Sequence, residues 1–371
     1  MPLYLNEDQA MLRDTARDFM AAEGAIAGQL RHWRDIGCKD GFGHALWKQF
    51  AELGFTGILI DEADGGLGLG HVEAGIVLEE IGRNLTPSPF LISAVALVEA
   101  LKGTKHRERW FPGILAGDIV AALAVDEGPK HRPEAIAMKA ERAGNGFRLS
   151  GRKQFVVQGA SADVIVVAAQ AAEGLTLFVV EKDAKGLETE GVRLADSSIG
   201  ARMDFRDVEV DADAVVGEVG QGQAILGRML NAGRAGAASE LVGIGSASMT
   251  MTVDYLKQRK QFGRLIGEFQ ALQHRAAHLY SELEIARAAA LKAQQLLDEG
   301  SLEAEAMVSV AKAKAGRASQ LAVQEGVQMH GGIGMTDEYD IGLYMKRDRA
   351  LNELFGDANY HADKLACMKG Y

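Results

Sequence analysis

Arg259-Lys260-Gln261-Phe262-Gly263-Arg264-Leu265-Ile266-Gly267-Glu268-Phe269-Gln270 is the stretch from which the fold is read. A long segment rich in small residues runs into it, and a second helical segment runs out of it. From Gln223 onward four stretches have helical character: Ala224 to Tyr255, Phe269 to Glu299, Ser301 to Met329 and Leu343 to Leu354. Gly and Ala recur along the first, which lets neighbouring helices approach closely. Long antiparallel helices joined by short turns predict a four-helix bundle. A glycine-rich stretch, Gln328-Met329-His330-Gly331-Gly332-Ile333-Gly334, follows the third helix. Taken singly, a Gly pair is a turn and an Arg after a helix is solvated.

Upstream of a linker at Gly217 to Gly222 the period changes. Ala121–Val125, Phe147–Ser150, Gln154–Val157, Val164–Val167, Leu175–Val180 and Met203–Phe205 are short β-branched or aromatic runs separated by Gly, Asn and Asp. They predict a small, barrel-like β domain that ends near Val210. Before it the chain is helical. Asn6 with Gln9 three residues on is a capping-box pattern, followed by Leu12, Ala16, Phe19 and Met20 at helical spacing. Ala45–Leu53, His71–Gly82, Ser93–Lys102 and Trp110–Ala116 read as further helices. Asp64-Gly65-Gly66-Leu67-Gly68-Leu69-Gly70 lacks the strand-to-helix context of a dinucleotide fingerprint and reads as a structural loop. The expected fold is mainly α with a middle β domain: an N-terminal helical domain (1–118), a β domain (119–216) and a C-terminal helical bundle (217–371).

With 371 residues, the chain is long enough for two or three domains and a large core. A net charge of −11 opposes a nucleic-acid backbone, so nucleic acid is a poor partner. It also opposes phosphates, so any site for a phosphorylated ligand needs local Arg or Lys. Cys38 and Cys367 lie far apart without metal-ligand spacing, which fits free thiols in a reducing compartment. The N-terminus has no secretory signature and no apolar run is long enough to span a membrane. The expected location is the cytoplasm.

Arg-x-x-Phe-Gly followed by Phe-Gln, then Gln-x-x-Gly-Gly-x-Gly about two helices later, resembles the acyl-CoA dehydrogenase family, and the likeness extends over essentially the whole chain. Glu79-Glu80-Ile81-Gly82-Arg83 after the glycine-rich loop is similar to the family's N-terminal domain. The resemblance implies removal of a proton next to a thioester carbonyl and of a hydride from the following carbon, with FAD as hydride acceptor. It assigns the two glycine-containing segments to two subunits holding one FAD, with Arg259 on the pyrophosphate. Phe262, Phe269 and Gln270 match positions around the adenine and ribose. Gln328, Gly331 and Gly332 match the partner subunit's contribution, and Asp357 matches a cofactor-contacting position. It further implies an acyl-CoA substrate, an electron-transfer flavoprotein as electron acceptor, and either a homo-oligomer (dimer or tetramer) or a heterotetramer with a related subunit.

The sequence departs from the family at the chemistry. Where the family has Lys-x-Trp-Ile-Thr beside the flavin ring, this chain has Lys153-Gln154-Phe155-Val156-Val157: Phe155 can wall the flavin, but Val157 offers no hydroxyl. The family's usual base, the Glu of Glu-Gly-Thr, aligns with Phe355, and its minority position, just before Arg234, holds Gly233. Two turns beyond Gly233, at about 3.6 residues per turn, Glu240 stands among small and apolar residues as the candidate base, with Asp357 second. A lone Glu there would be desolvated and its pKa raised; the other reading is a buried ion pair or a subunit surface. Asn231 and Arg234 match a pair that lines the acyl-CoA channel. His330 and His361 read as structural. Ala238-Ser239-Glu240-Leu241-Val242-Gly243 with Phe355-Gly356-Asp357 resembles a subgroup acting on bulky, ring-bearing or branched acyl groups. Rival readings are a non-catalytic partner subunit and a flavin-dependent oxidase or monooxygenase on the same fold.

Overall fold

Asn6 opens the first helix as its sequence predicts. Its side chain accepts from the Gln9 N–H at 2.8 Å, and the Gln9 side chain accepts from the Asn6 N–H at 3.0 Å. The structure, a computed structural model, describes residues 3–371. The helices before the sheet are α1 Glu7–Ala22, α2 His32–Asp35, α3 His44–Glu52, α4 His71–Asn84, α5 Leu97–Leu101 and α6 His106–Leu115. The strands are β1 Ala121–Ala124, β2 Lys139–Ala143, β3 Gly146–Val157, β4 Val164–Ala171, β5 Gly174–Glu181, β6 Leu187–Arg193, β7 Ile199–Asp211 and β8 Val215–Val216. Then follow α7 Gly222–Gln258, a small hairpin of β9 Lys260–Gln261 and β10 Arg264–Leu265, α8 Gln270–Asp298, α9 Ala304–His330, α10 Ile341–Glu353 and α11 Ala358–Met368.

Contacts divide the chain into two units that interleave along the sequence. One holds the chain up to Arg31, His71–Thr86 and Arg234–Tyr371; the other holds His32–Gly70 and Pro87–Gly233. The boundary near residue 233 falls inside α7.

The second unit is built on one sheet in the order β6-β7-β3-β2-β4-β5-β8, with β1 parallel to β4. Its ends, β6 and β8, do not pair with each other, so the expected barrel-like domain is an open sheet. β4 lies inside the sheet and is buried nearly throughout, which is why its sequence is a continuous apolar run. Phe147 and Phe178 meet edge to face at 5.2 Å in the core. The runs at Phe147 and Gln154 are halves of one strand, β3, whose pairing with β7 shifts between Leu149/Gly151 and Lys153/Val156. β6 is an exposed, charged edge, a device that discourages further pairing and that hides the strand from an apolar pattern.

The first unit is helical. α8 and α9 pair along their lengths, and α1 packs on α4. The bundle has a fifth helix, α11, absent from the four expected, because Asp357 caps it through Asn359 and Tyr360 N–H groups. α4 and α7 approach to backbone contact. A Cβ on Gly82 would fall 2.1 Å from the Glu240 carbonyl oxygen, and one on Gly243 would fall 2.0 Å from that of Glu79. Gly82→Ala and Gly243→Ala should therefore each cost about 1–3 kcal/mol or more by overpacking. Urea midpoints unchanged in both variants would mean that the crossing opens without penalty.

Candidate functional site

The hairpin after α7 pairs Gln261 with Arg264 and Lys260 with Leu265. Its two tip residues, Phe262 (φ +54°) and Gly263 (φ +81°), have the left-handed backbone that a two-residue hairpin turn requires. A large L-residue is unfavourable there. The Phe262 side chain is nonetheless 91% exposed, its ring edge-on to Phe269 at 6.3 Å. The Arg264 guanidinium lies 4.2 Å over the Phe269 ring. Lys257, Arg259, Lys260 and Arg264 are all exposed, a local positive field on a chain of net charge −11.

The end of α9 stands beside the end of α7. The Tyr255 ring stacks on His330 at 4.5 Å, and Tyr339 closes on His330 at 4.8 Å. The His330 ring nitrogen Nδ1 lies 2.6 Å from the Gly326 carbonyl. Arg259 follows Tyr255 by one turn, and Gly331 follows His330 directly. The two segments that the resemblance assigns to two subunits are thus neighbours within one chain, joined by this aromatic stack. Gly331 (φ +65°) and Gly332 face open space, where a Cβ would meet nothing within 4 Å. Arg259, Gln270 and Gln328 are exposed, and a guanidinium fork, two amides and unobstructed glycine backbone are donors that suit a group bearing a pyrophosphate.

In the sheet unit, Phe155 sits at the second irregularity of β3 with φ +53°. A bulge re-aims a side chain, and this one is fixed from behind. Lys153, fully buried, donates to the Val125 carbonyl at 3.0 Å and to Glu127 Oε1 at 2.7 Å. The Glu127 carboxylate also accepts from the Ala137 and Met138 N–H groups. The Gln154 N–H donates to the Asp126 carbonyl at 2.8 Å. Burial pushes the Lys153 ammonium below its ordinary pKa, against the pull of Glu127.

The turn from α10 to α11 holds the strained residue Phe355 (φ +60°) at the expected base position. Arg234, 1% exposed, donates through Nε to the Phe355 carbonyl at 3.2 Å and through Nη2 to the Tyr360 hydroxyl at 3.2 Å. His361 Nε2 lies 3.1 Å from the same carbonyl. Lys312 on α9 donates to the Leu351, Asn352 and Gly356 carbonyls at 3.2, 3.1 and 3.0 Å. Among the described residues, the Phe355 N–H has no acceptor.

Glu240, 2% exposed, is not the lone carboxylate expected. Arg347 on α10 donates to its Oε1 through Nε at 2.8 Å and Nη2 at 2.6 Å, because a charge on so buried a face needs a counter-charge. Asp357 Oδ1 accepts from the Asn359 and Tyr360 N–H groups. Asn231 is half-buried on the part of α7 that belongs to the sheet unit. Lys312, Arg347, Tyr255 and Tyr360 escaped the sequence reading. For Lys312 a signal existed: it shares a helical face with Val308, Ala315 and Gly316, an apolar setting for a charge.

Comparison with known proteins agrees along the chain. Models of the acyl-CoA dehydrogenase N-terminal, middle and C-terminal domains match residues 6–118, 125–210 and 220–367. Mitochondrial isovaleryl-CoA dehydrogenase of Pongo abelii is 30% identical over 372 residues, covering 94% of this chain and 85% of the relative. Cyclohex-1-ene-1-carbonyl-CoA dehydrogenase of Geobacter metallireducens is 30% identical over 374 residues, 96% of each. A solved Tcur3481-Tcur3483 steroid ACAD superposes with a TM-score of 0.90 over 98% of each chain at 28% identity. The chain belongs to the acyl-CoA dehydrogenase family, FAD-dependent oxidoreductases that act on acyl-CoA thioesters.

Proposed function

We propose that this chain desaturates, between the α and β carbons, an acyl-CoA whose acyl group is branched or ring-bearing, within the subgroup that lacks the Glu-Gly-Thr base. The observation that carries the reading is the α10–α11 turn: an apolar Phe355 stands at the usual base position, while a carboxylate, Glu240, is buried on α7. Relatives named for isovaleryl, cyclohexene-carbonyl and steroid substrates support the acyl class. The three matched segments support the division into residues 1–118, 119–216 and 217–371.

Bound FAD supplies the hydride acceptor. Arg259 would hold its pyrophosphate, with Phe262, Phe269, Gln270 and Asp357 along the nucleotide and Gln328, Gly331 and Gly332 contributed by a second subunit; Phe155 would wall the ring. The Phe355 N–H donates to the thioester oxygen and so favours loss of the α-proton. Glu240 takes that proton, oriented by Arg347, with Asp357 the second candidate. Asn231 contacts the substrate directly, and Arg234 supports that end through the Phe355 carbonyl. The chain works as an oligomer, homomeric or paired with a related subunit, in the cytoplasm, and passes electrons to an electron-transfer flavoprotein. No helix among the described residues is long and apolar enough to cross a membrane.

A second reading has its own observation. Glu240 is engaged by Arg347 and Phe355 has no proton-accepting atom, which favours a cofactor-sharing, non-catalytic subunit of a hetero-oligomer. The chain purified alone decides: a yellow protein bleached anaerobically by cyclohexanecarbonyl-CoA or isovaleryl-CoA supports the dehydrogenase, and a colourless, inert one supports the partner subunit.

For the base, Glu240→Gln should keep FAD and lower solvent exchange of the substrate α-proton about 10²–10⁴-fold; exchange at the wild-type rate would remove Glu240 from the chemistry. For the cofactor, Arg259→Ala should weaken FAD binding by about 1.5–3 kcal/mol, the worth of a charge-assisted hydrogen bond, read by flavin fluorescence on dilution. Phe262→Gly should relieve about 1 kcal/mol of backbone strain, raising thermal stability of the apoprotein while lowering FAD retention. Retention unchanged in both variants would detach the hairpin from the cofactor.

A further inference from the structure

We propose that Lys312 is a positioning residue for the Phe355–Gly356 turn, its ammonium holding three backbone carbonyls so that the Phe355 N–H stays available to the thioester; the catalytic half of this rests on the function proposed above. The geometry is specific. An ammonium has three N–H groups and no acceptor. Lys312 Nζ faces three carbonyls, those of Leu351, Asn352 and Gly356, at 3.2, 3.1 and 3.0 Å. Two belong to the last turn of α10, where carbonyls lack intrahelical partners. The third belongs to the strained turn itself, since Gly356 has φ +102°.

Other backbone groups around the turn are also paired. The Gly356 N–H donates to the Glu353 carbonyl at 3.2 Å, and the Leu354 N–H to that of Ala350 at 3.3 Å. The Phe355 carbonyl faces Arg234 and His361. The carbonyls of Phe355 and Gly356 are thus taken by side chains from α7, α9 and α11, and the Phe355 N–H is left over. A phenylalanine in the left-handed region persists only where its surroundings over-determine it. Lys312 binds both sides of the turn, the end of α10 and Gly356.

The arrangement requires the charged form, because a neutral amine has two N–H groups and would set its lone pair against a carbonyl. Burial pushes the Lys312 ammonium down to about 7. Asp348 on α10 opposes the shift, Arg234 on α7 adds to it, and Asp357 at the start of α11 and Glu353 on α10 also oppose it. Burial also raises the Asp348 carboxyl, to about 6. The sign follows: the turn is held below the Lys312 pKa and loosens as pH rises through it.

The experiment uses the holoenzyme, wild type and Lys312→Met, which keeps length and removes the charge. Amide hydrogen exchange is read at residues 351–357, with α8 as the internal reference. Lys312→Met should exchange about tenfold or more faster at the turn with α8 unchanged. In the wild type, protection of the turn should fall between about pH 6 and 9 after correction for intrinsic exchange. This second measurement stands if the variant does not fold. A turn equally protected in both proteins, or in the wild type a protection flat across that range, overturns the proposal. The catalytic half is read from the carbonyl stretch of 13C-labelled cyclohexanecarbonyl-CoA bound to each protein. The wild type should show a shift to lower frequency relative to solution. Lys312→Met should lose most of it, with kcat down about 10²-fold and KM within threefold. A wild type that binds the thioester without any shift refutes the proposed function of the turn, whereas an intact shift in Lys312→Met refutes the role of Lys312.

Discussion

A helix that is buried on nearly every side must carry small side chains, and each polar group on it must find a partner. α7 from Arg234 to Gly245 is buried throughout. Its polar members are Arg234, Ser239 and Glu240, and each is satisfied from a different helix. Arg234 reaches the α10–α11 turn, Gln294 on α8 donates to Ser239 at 2.6 Å, and Arg347 on α10 meets Glu240. Leaving any of them unpaired would cost several kcal/mol, so the requirement to satisfy α7 fixes where α10 and the turn after it can lie. The candidate chemistry sits where those obligations converge.

Much of this was legible in the residues. The capping box at Asn6, the β-branched runs of the sheet and the four long helices all appear near their expected places, because each rests on a local pattern. The charged strands β2 and β6 did not appear, since pairing defines them and burial does not. α11 was hidden for another reason: its start depends on Asp357 acting as a cap, and an Asp after a Phe-Gly pair does not by itself announce a helix. The Arg259–Gln270 and Gln328–Gly334 segments were legible as motifs, but their adjacency within one chain was not. It depends on Tyr255 stacking on His330, a contact between positions far apart in sequence that no periodicity announces. That Glu240 could sit in a buried ion pair was legible, but its partner was not. Glu240 was visible as a charge in an apolar stretch, yet which cation would answer it is a question of tertiary packing.

Three phenylalanines singled out in the sequence, Phe155, Phe262 and Phe355, all have left-handed backbones. They lie in unrelated contexts, a bulged strand, a hairpin tip and an interhelical turn. Each is held by independent bonds: Lys153 and Gln154 to the segment after β1, the β9–β10 pairing, and the Arg234, His361 and Lys312 donors. A conformation that costs of order 1–3 kcal/mol is retained only when neighbouring interactions leave no alternative. Each of the three aims a ring or a peptide group in a direction that an ordinary strand or helix would not give.

Phe355 brings no charge to the centre of the α10–α11 turn. A carboxylate at that position would stand close to two buried cations, Arg234 and Lys312. Without it, both cations turn to backbone carbonyls, which are weaker but numerous partners. The acid, if α7 supplies it, then needs a cation of its own, and Arg347 provides it from α10. Arg347 lies one helical turn before Leu351, whose carbonyl Lys312 holds. α10 therefore carries the partner of Glu240 and the anchor of the Phe355 turn within a single turn of helix. A displacement of that helix therefore disturbs the Glu240 ion pair and the Phe355 turn together.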